Sequence, residues 1–116
     1  DNPYFDYFMN QKINDLSNNG IDVHTSINIS HSDYYLDREY VEYLIKIINL
    51  FKKEATQITI NIYEKHGFNI IEVLTSKNMK LTFDNSFKQL AQHLDAQYKV
   101  TQGNELCVFK SIQSMK

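Results

Sequence analysis

The stretch KIINLFKKEATQITINIY, residues 46–63, changes its hydrophobic period within a few residues. Up to Phe51 the apolar positions Val41, Leu44, Ile45, Ile48 and Phe51 recur at intervals of three and four, the spacing of one face of an α-helix. From Ile58 the pattern becomes strict alternation, Ile58, Ile60 and Ile62, the spacing of a strand with one buried side. The spacing predicts a helix from Asp37 to about Glu54 joined almost directly to a strand. Asp37 and Glu39 sit near its positive end and Lys52 and Lys53 near its negative end, which suits the helix dipole.

The other segments divide between the same two periods. Phe5, Phe8, Met9, Ile13 and Leu16 fall on one helical stripe, interrupted by Lys12, and Asn18, Asn19 and Gly20 stop that helix. IDVHTSINI alternates throughout and predicts a strand that buries Ile21, Val23, Thr25, Ile27 and Ile29. SHSDYY reads as a polar connection. After the strand carrying Ile58 to Ile62, a turn at Lys65, His66 and Gly67 returns the chain through Ile71 and Val73 as a hairpin, with the glycine suited to positive φ. Asp84, Asn85 or Ser86 can cap a third helix bearing Phe87, Leu90, Ala91 and Leu94, and QYKVTQ and ELCVFKSI form two last strands around Gly103 and Asn104. The order αβαββαββ predicts an α+β fold: a two-layer α/β sandwich in which a mixed sheet carries three helices on one face, with residues 1–116 forming one domain.

Composition narrows the function classes. With 42% hydrophobic and 22% charged residues the 116-residue chain reads as an ordinary globular domain. A net charge of −2, with Lys52 and Lys53 the only adjacent basic pair, argues against a nucleic-acid surface. No apolar run reaches the length that spans a bilayer and no secretory signal opens the chain, so a cytoplasmic domain without direct membrane insertion is expected. The single cysteine, Cys107, leaves no internal disulfide and reads as a small buried hydrophobe. The opening DNPYF lacks Met, which suggests a piece excised from a longer protein.

Three quoted stretches carry a family resemblance: NNGIDVHTSINI, YLIKIINLFKKEATQITINIYEKHGFNIIEV and SFKQLAQHLDAQYKVTQGNELCVFKSI. Their hydrophobic framework resembles the ATP-binding catalytic domain of NarL/DesK-like sensor histidine kinases, the GHKL or Bergerat fold. The resemblance covers nearly the whole chain. It implies ATP and Mg as cofactors, transfer of the γ-phosphate to a histidine on the kinase's own dimerisation domain, a response regulator as downstream partner and a homodimeric full-length protein.

The motifs depart from that pattern. If Lys46 to Ile48 takes the family's RII position, its catalytic glutamate falls on Leu50 and its Mg-binding asparagine on Glu54, which still offers oxygen to a hard cation. The lysine-histidine portion that follows in the family is missing, which accounts for the tight junction. Thr75 takes the position of the carboxylate that accepts a hydrogen bond from adenine, and no glycines follow it. The second glycine box and the ATP lid are absent, since only about ten residues separate Thr75 from the third helix. The resemblance therefore implies Asn49, Lys52, Lys53, Thr75, Lys77 and Ser86 as nucleotide contacts, Asn85 and Ser86 as remnants of a phosphate site, and Glu54 as metal ligand.

Each of these residues also has an ordinary structural reading: Glu54 as a solvated carboxylate, Lys52 and Lys53 as partners of the helix dipole, Thr75 as a strand threonine. His24, His31, His66 and His93 match no metal spacing, and none resembles the phosphoacceptor, which in this family lies on a separate upstream helix. The chain has no GxSxG elbow and no Walker loop. Two functions stay open: an ATP-binding kinase domain with degraded motifs, or a pseudo-ATPase interaction module that binds no nucleotide.

Overall fold

The computed structural model describes residues 3–115. In chain order the elements are α1 (Pro3–Asn18), β1 (Asp22–Asn28), a 3-10 turn (Asp33–Leu36), α2 (Arg38–Lys52), β2 (Gln57–Lys65), β3 (Phe68–Thr75), α3 (Asn85–His93), β4 (Gln97–Gly103) and β5 (Leu106–Ser114). The strands form one sheet in the order β1-β2-β3-β5-β4. β1 runs parallel to β2, and every other pair is antiparallel. The result is the expected mixed sheet with three helices on one face.

Register explains why the helix face of the sheet is apolar at its centre. Ile60 pairs with Val73, Val73 with Phe109 and Phe109 with Val100, so one row of hydrophobic side chains crosses four strands. Against that row α2 packs Tyr40, Tyr43, Leu44, Ile47, Ile48 and Phe51, all buried. A fully buried aliphatic chain contributes about 1.5–3 kcal/mol relative to exposure, so this interface contributes substantially to stability. Phe83, Phe87, Tyr98 and Phe109 form an aromatic cluster that seats α3 on β4 and β5, with Tyr98 stacked on Phe109 at 5.4 Å.

Asp37 caps α2, its carboxylate accepting from the Glu39 amide at 2.9 Å. The β2–β3 turn is the two-residue connection His66 and Gly67, with φ of 54° and 80°; both left-handed residues match the primed turn that twisted hairpins require. No helix among the described residues is long and apolar enough to cross a membrane.

Two expectations are corrected. The alternating face of β1 is not buried along its length: Ile21 is, Val23 is half-buried, and Thr25 and Ile27 are exposed. β1 is the edge strand and the helical layer covers only its beginning, so alternation reported the strand but not its burial. The SHSDYY segment is also more than a polar connection. It folds into the 3-10 turn and buries Tyr35 completely.

Tyr35 belongs to a chain of hydrogen bonds at one end of the sandwich. Its hydroxyl donates to Glu64 Oε2 at 2.6 Å and accepts from Asn69 Nδ2 at 3.0 Å, while Tyr40 donates to Asn69 Oδ1 at 3.0 Å. The Ser30 amide and hydroxyl both donate to Glu64 Oε2 at 2.8 Å. Burial pushes the Tyr35 and Tyr40 hydroxyls well above the ordinary phenol range and raises Tyr43 to about 12. Desolvation opposes ionisation of Glu64, but the donors from Ser30 and Tyr35 outweigh it and hold the carboxyl below its ordinary range. Stability from Glu64 is therefore present above the unfolded pKa and is lost as pH falls through the folded one. Urea unfolding at a series of acid pH values should show that loss in the native chain and a flatter profile in Glu64→Gln. Tyr40→Phe leaves Asn69 Oδ1 buried without its donor, and its cost by urea unfolding should be about 1–3 kcal/mol.

Candidate functional site

The opposite end of the sandwich is built from the C-terminus of α2, the start of β2, the end of β3, the connection 76–84 and the N-terminus of α3. A cleft of about 240 Å³ opens there, between Lys46, Asn49 and Leu50 on α2 and Thr82, Asp84 and Phe87 on the other side. Lys46, Asn49 and Leu50 share one helix face because they are three and four residues apart. Lys46 enters no ion pair among the described residues, so its charge remains available to a ligand.

Asp84, not Asn85 or Ser86, caps α3: its Oδ1 accepts from the Phe87 amide at 2.8 Å. A carboxylate thus already sits where the exposed amides and the dipole of a helix start would favour an anion. Only one of the orphan amides is used by that bond, and those of the first turn at Asn85 and Ser86 remain.

The connection is held down over the junction between α2 and β2. Thr75 Oγ1 donates to the Gln57 carbonyl at 2.6 Å, and Lys77 Nζ donates to the Glu54 carbonyl at 3.1 Å. Gln102 Nε2 donates to the Met79 carbonyl, and Met79 and Leu81 turn into the core. Cys107 is fully buried beneath, and burial raises its thiol pKa against smaller opposing contributions from Met79 and Gln102.

The sequence candidates are distributed unevenly over this end. Asn49 lines the cleft, where its Oδ1 accepts a bond from Lys12 of α1. Lys52 turns toward α1 and pairs with Asp15 at 2.8 Å; its hydrogen bond, with Lys12 assisting and desolvation opposing, holds the Asp15 carboxyl below the ordinary range. Lys53 is the exposed C-cap of α2. Glu54 is exposed in the following turn, tied to Lys77 through its backbone. Thr75 is 1% exposed, so its hydroxyl faces the protein and not the cleft. Ser86 is exposed in the first turn of α3. Thr75, Lys77, Glu54 and Gln57 are gathered around one junction, whereas Lys52 belongs to the α1 contact.

Lys46, Thr82, Asp84 and Phe87 complete the cleft although they were not among the expected contacts. The signal for Lys46 was its helical spacing from Asn49 and Leu50. Thr82 lies in an aperiodic connection and carried none.

For the phosphates of a nucleotide the cleft offers the Lys46 ammonium and the Thr82 hydroxyl, with the Asn85 and Ser86 amides at the adjoining start of α3. For a metal held by protein alone there is no such set, since the described residues contain no group of three His, Cys, Asp or Glu side chains able to hold one.

No family model matches the chain, and no curated protein matches it. Solved structures do. The chain is similar to a blue-light activated histidine kinase of Erythrobacter litoralis with TM-score 0.75 and 11% identity, over 92% of this chain and 40% of that one. It is similar to the histidine kinase AdeS of Acinetobacter baumannii with TM-score 0.70 and 11% identity, over 97% of this chain and 65% of that one. It is similar to the catalytic domain of histidine kinase ThkA with TM-score 0.70 and 12% identity, over 97% of this chain and 92% of that one. The chain thus spans less than two thirds of the first two proteins but nearly all of the isolated catalytic domain. At these identities the likeness establishes the fold, that of histidine kinase catalytic domains.

The Asp84 cap gives a direct check on the local geometry. Asp84→Ala should lower stability by about 1 kcal/mol in urea unfolding, while Asp84→Asn, which keeps an accepting oxygen, should lose only a fraction of that.

Proposed function

We propose that this chain is the ATP-binding catalytic domain of a two-component sensor histidine kinase of the NarL/DesK-like type, a cytoplasmic part of a longer homodimeric protein. The domain presents the γ-phosphate of ATP to a histidine on the kinase's dimerisation domain, from which a response regulator receives it. The observation carrying this reading is the open cleft between Lys46 on α2 and the N-terminus of α3, on a fold shared with histidine kinase catalytic domains.

Bound ATP with Mg would supply an activated phosphoryl group with phosphate oxygens to share the metal. The chain's own residues would bind and orient it. Lys46 balances phosphate charge, Thr82 and the Asn85 and Ser86 amides donate hydrogen bonds, and Asn49, Lys53 and Lys77 border the approach. Glu54 is the proposed carboxylate ligand of the metal, for which one protein carboxylate suffices when phosphates and water complete the shell. Thr75 supports the adenine side by fixing the connection to Gln57, and Lys52 supports the phosphate side by fixing α2 to α1. With Leu50 where a general base would stand, orientation and deprotonation of the acceptor imidazole fall to groups outside this segment, and transfer is slow or assisted.

A second reading is supported by Asp84 and Thr75. An internal carboxylate at the start of α3 repels phosphate, and a threonine sealed in the protein offers adenine nothing. On this reading the domain is a pseudo-ATPase that binds its own helical domain or another signalling partner through its folded surface.

Calorimetric titration of the chain with ATP and Mg separates the two. Saturable binding that weakens about tenfold in Lys46→Ala or Glu54→Ala, the loss of one charge-assisted contact, is expected from the first. No heat and no thermal shift at about millimolar nucleotide leaves the second, since binding weaker than that is worth under roughly 4 kcal/mol. Phosphotransfer itself is read in the full-length kinase carrying its acceptor histidine.

A further inference from the structure

The two edges of the sheet, β1 and β4, are guarded differently. β4 carries Lys99, a charge that disfavours pairing with another strand, and near its end Gln102 is tied to the Met79 carbonyl. β1 lacks such protection. DVHTSIN contains no Lys, Pro or Gly, its pairing with β2 runs unbroken from Asp22 to Asn28 without a bulge, and the helical layer leaves Thr25 and Ile27 exposed.

Register shows which backbone groups face outward. The Asp22 amide donates to the Thr56 carbonyl at 3.0 Å, and in a strand the N–H and C=O of one residue point to the same side. Asp22, His24, Ser26 and Asn28 therefore bond to β2, while the N–H and C=O groups of Val23, Thr25 and Ile27 point away from the sheet. Among the described residues no backbone hydrogen bond from another segment reaches them. These three are also the β-branched residues of the strand, and their side chains lie on the helix-bearing face beside their partners Ile58, Ile60 and Ile62.

We propose that β1 is an interface with a second copy of this chain, the two β1 strands pairing antiparallel about a two-fold axis at Thr25 so that two sheets become one. The strand is self-complementary in that register. Val23 meets Ile27 of the partner subunit, Thr25 meets its own counterpart, and every outward N–H and C=O finds its complement opposite, as the closely bonded pairs of an antiparallel ladder require. The exposed Ile27 side chain then covers the half-buried Val23 of the partner subunit. On the other face Asp22 stands opposite Asn28 of the partner subunit and His24 opposite Ser26 of the partner subunit, so no like charges meet. An axis at His24 instead would oppose two imidazoles and set Ile27 against Ile21, whose amide is already bonded to the Leu16 carbonyl. The interface is separate from the α2–α3 cleft and does not depend on nucleotide.

A single strand pair buries less than a standard interface, so the association is weak and the test runs to about 1 mM. Sedimentation equilibrium should show a reversible monomer–dimer transition with a dissociation constant of about 0.1 mM. Amide hydrogen exchange by NMR reads the register. The Val23, Thr25 and Ile27 amides should exchange about fivefold more slowly at about 1 mM than in dilute solution, following the fall in monomer fraction, while those of His24 and Ser26, already bonded to β2, change little. Thr25→Pro removes the amide at the axis without touching the β2 ladder and should leave the chain monomeric. Ile27→Lys, at a side chain already 36% exposed in the single copy, should weaken dimerisation about tenfold or more with the fold intact by circular dichroism, and carries the test if the proline variant does not fold. A chain that stays monomeric at about 1 mM overturns the proposal. A dimer in which these three amides exchange at one rate at every concentration, or one that Ile27→Lys leaves unchanged, overturns it equally, since the contact then lies elsewhere.

Discussion

The short link between α2 and β2 is the constraint on which the rest of the molecule depends. Only Lys53 to Thr56 lie between the last helical residue and the first strand residue. The Phe51 carbonyl accepts the amides of Glu54 and Ala55, so even these residues continue the helix's hydrogen bonding before the chain turns. A link so short holds the end of α2 against the sheet, and the helix lies against β3. Its apolar stripe joins Ile58, Ile60 and Ile62 in one buried core.

The same link determines what the cleft end can contain. With no surplus chain between α2 and β2, polar groups at that junction bond to one another: Thr75 to the Gln57 carbonyl, Lys77 to the Glu54 carbonyl. Met79 and Leu81 then bury their side chains, so the β3–α3 connection is part of the core and not a mobile flap. A ligand is left with the side of the cleft facing Lys46 and the start of α3. Internal bonding is the low-cost alternative to leaving such polar groups bare.

Much of the architecture was legible because it follows from local period. Phe51 ends one period and Ile58 begins another, and Gly67 marks the hairpin; these features act within a few residues of themselves. What the sequence concealed depends on distant partners. Tyr35 is buried because Glu64 and Asn69, 29 and 34 residues away, offer it bonds. Lys52 leaves the cleft because Asp15, 37 residues earlier, lies beside it. The exposure of Ile27 follows from the place of β1 at the edge of the sheet, a property of strand order that alternation does not encode. Within the site, Asn49 was named by the family resemblance and does line the cleft. Asp84 was legible as a cap but not as a competitor for the position of a phosphate.

That competition is the central chemical question of the cleft. The Asp84 carboxylate and an incoming phosphate would draw on the same amides and the same end of the α3 dipole. Asp84 has the advantage of being covalently attached, so no translational freedom is lost when it binds. A phosphate has the advantage of Lys46, which lines the same cleft and enters no ion pair among the described residues. A divalent cation held with the phosphates would change the balance, because its charge would lessen the repulsion between the Asp84 carboxylate and the phosphate. Nucleotide affinity in this cleft should therefore depend on Mg more steeply than in a site whose helix start is free of acid, since here the metal must neutralise a protein charge as well as the phosphates. Titration with ATP in the presence of EDTA and again with excess Mg measures that dependence, and Asp84→Asn should reduce it while raising metal-free affinity. An Asp84→Asn chain that binds ATP no better without Mg would show that the carboxylate and the phosphate do not meet.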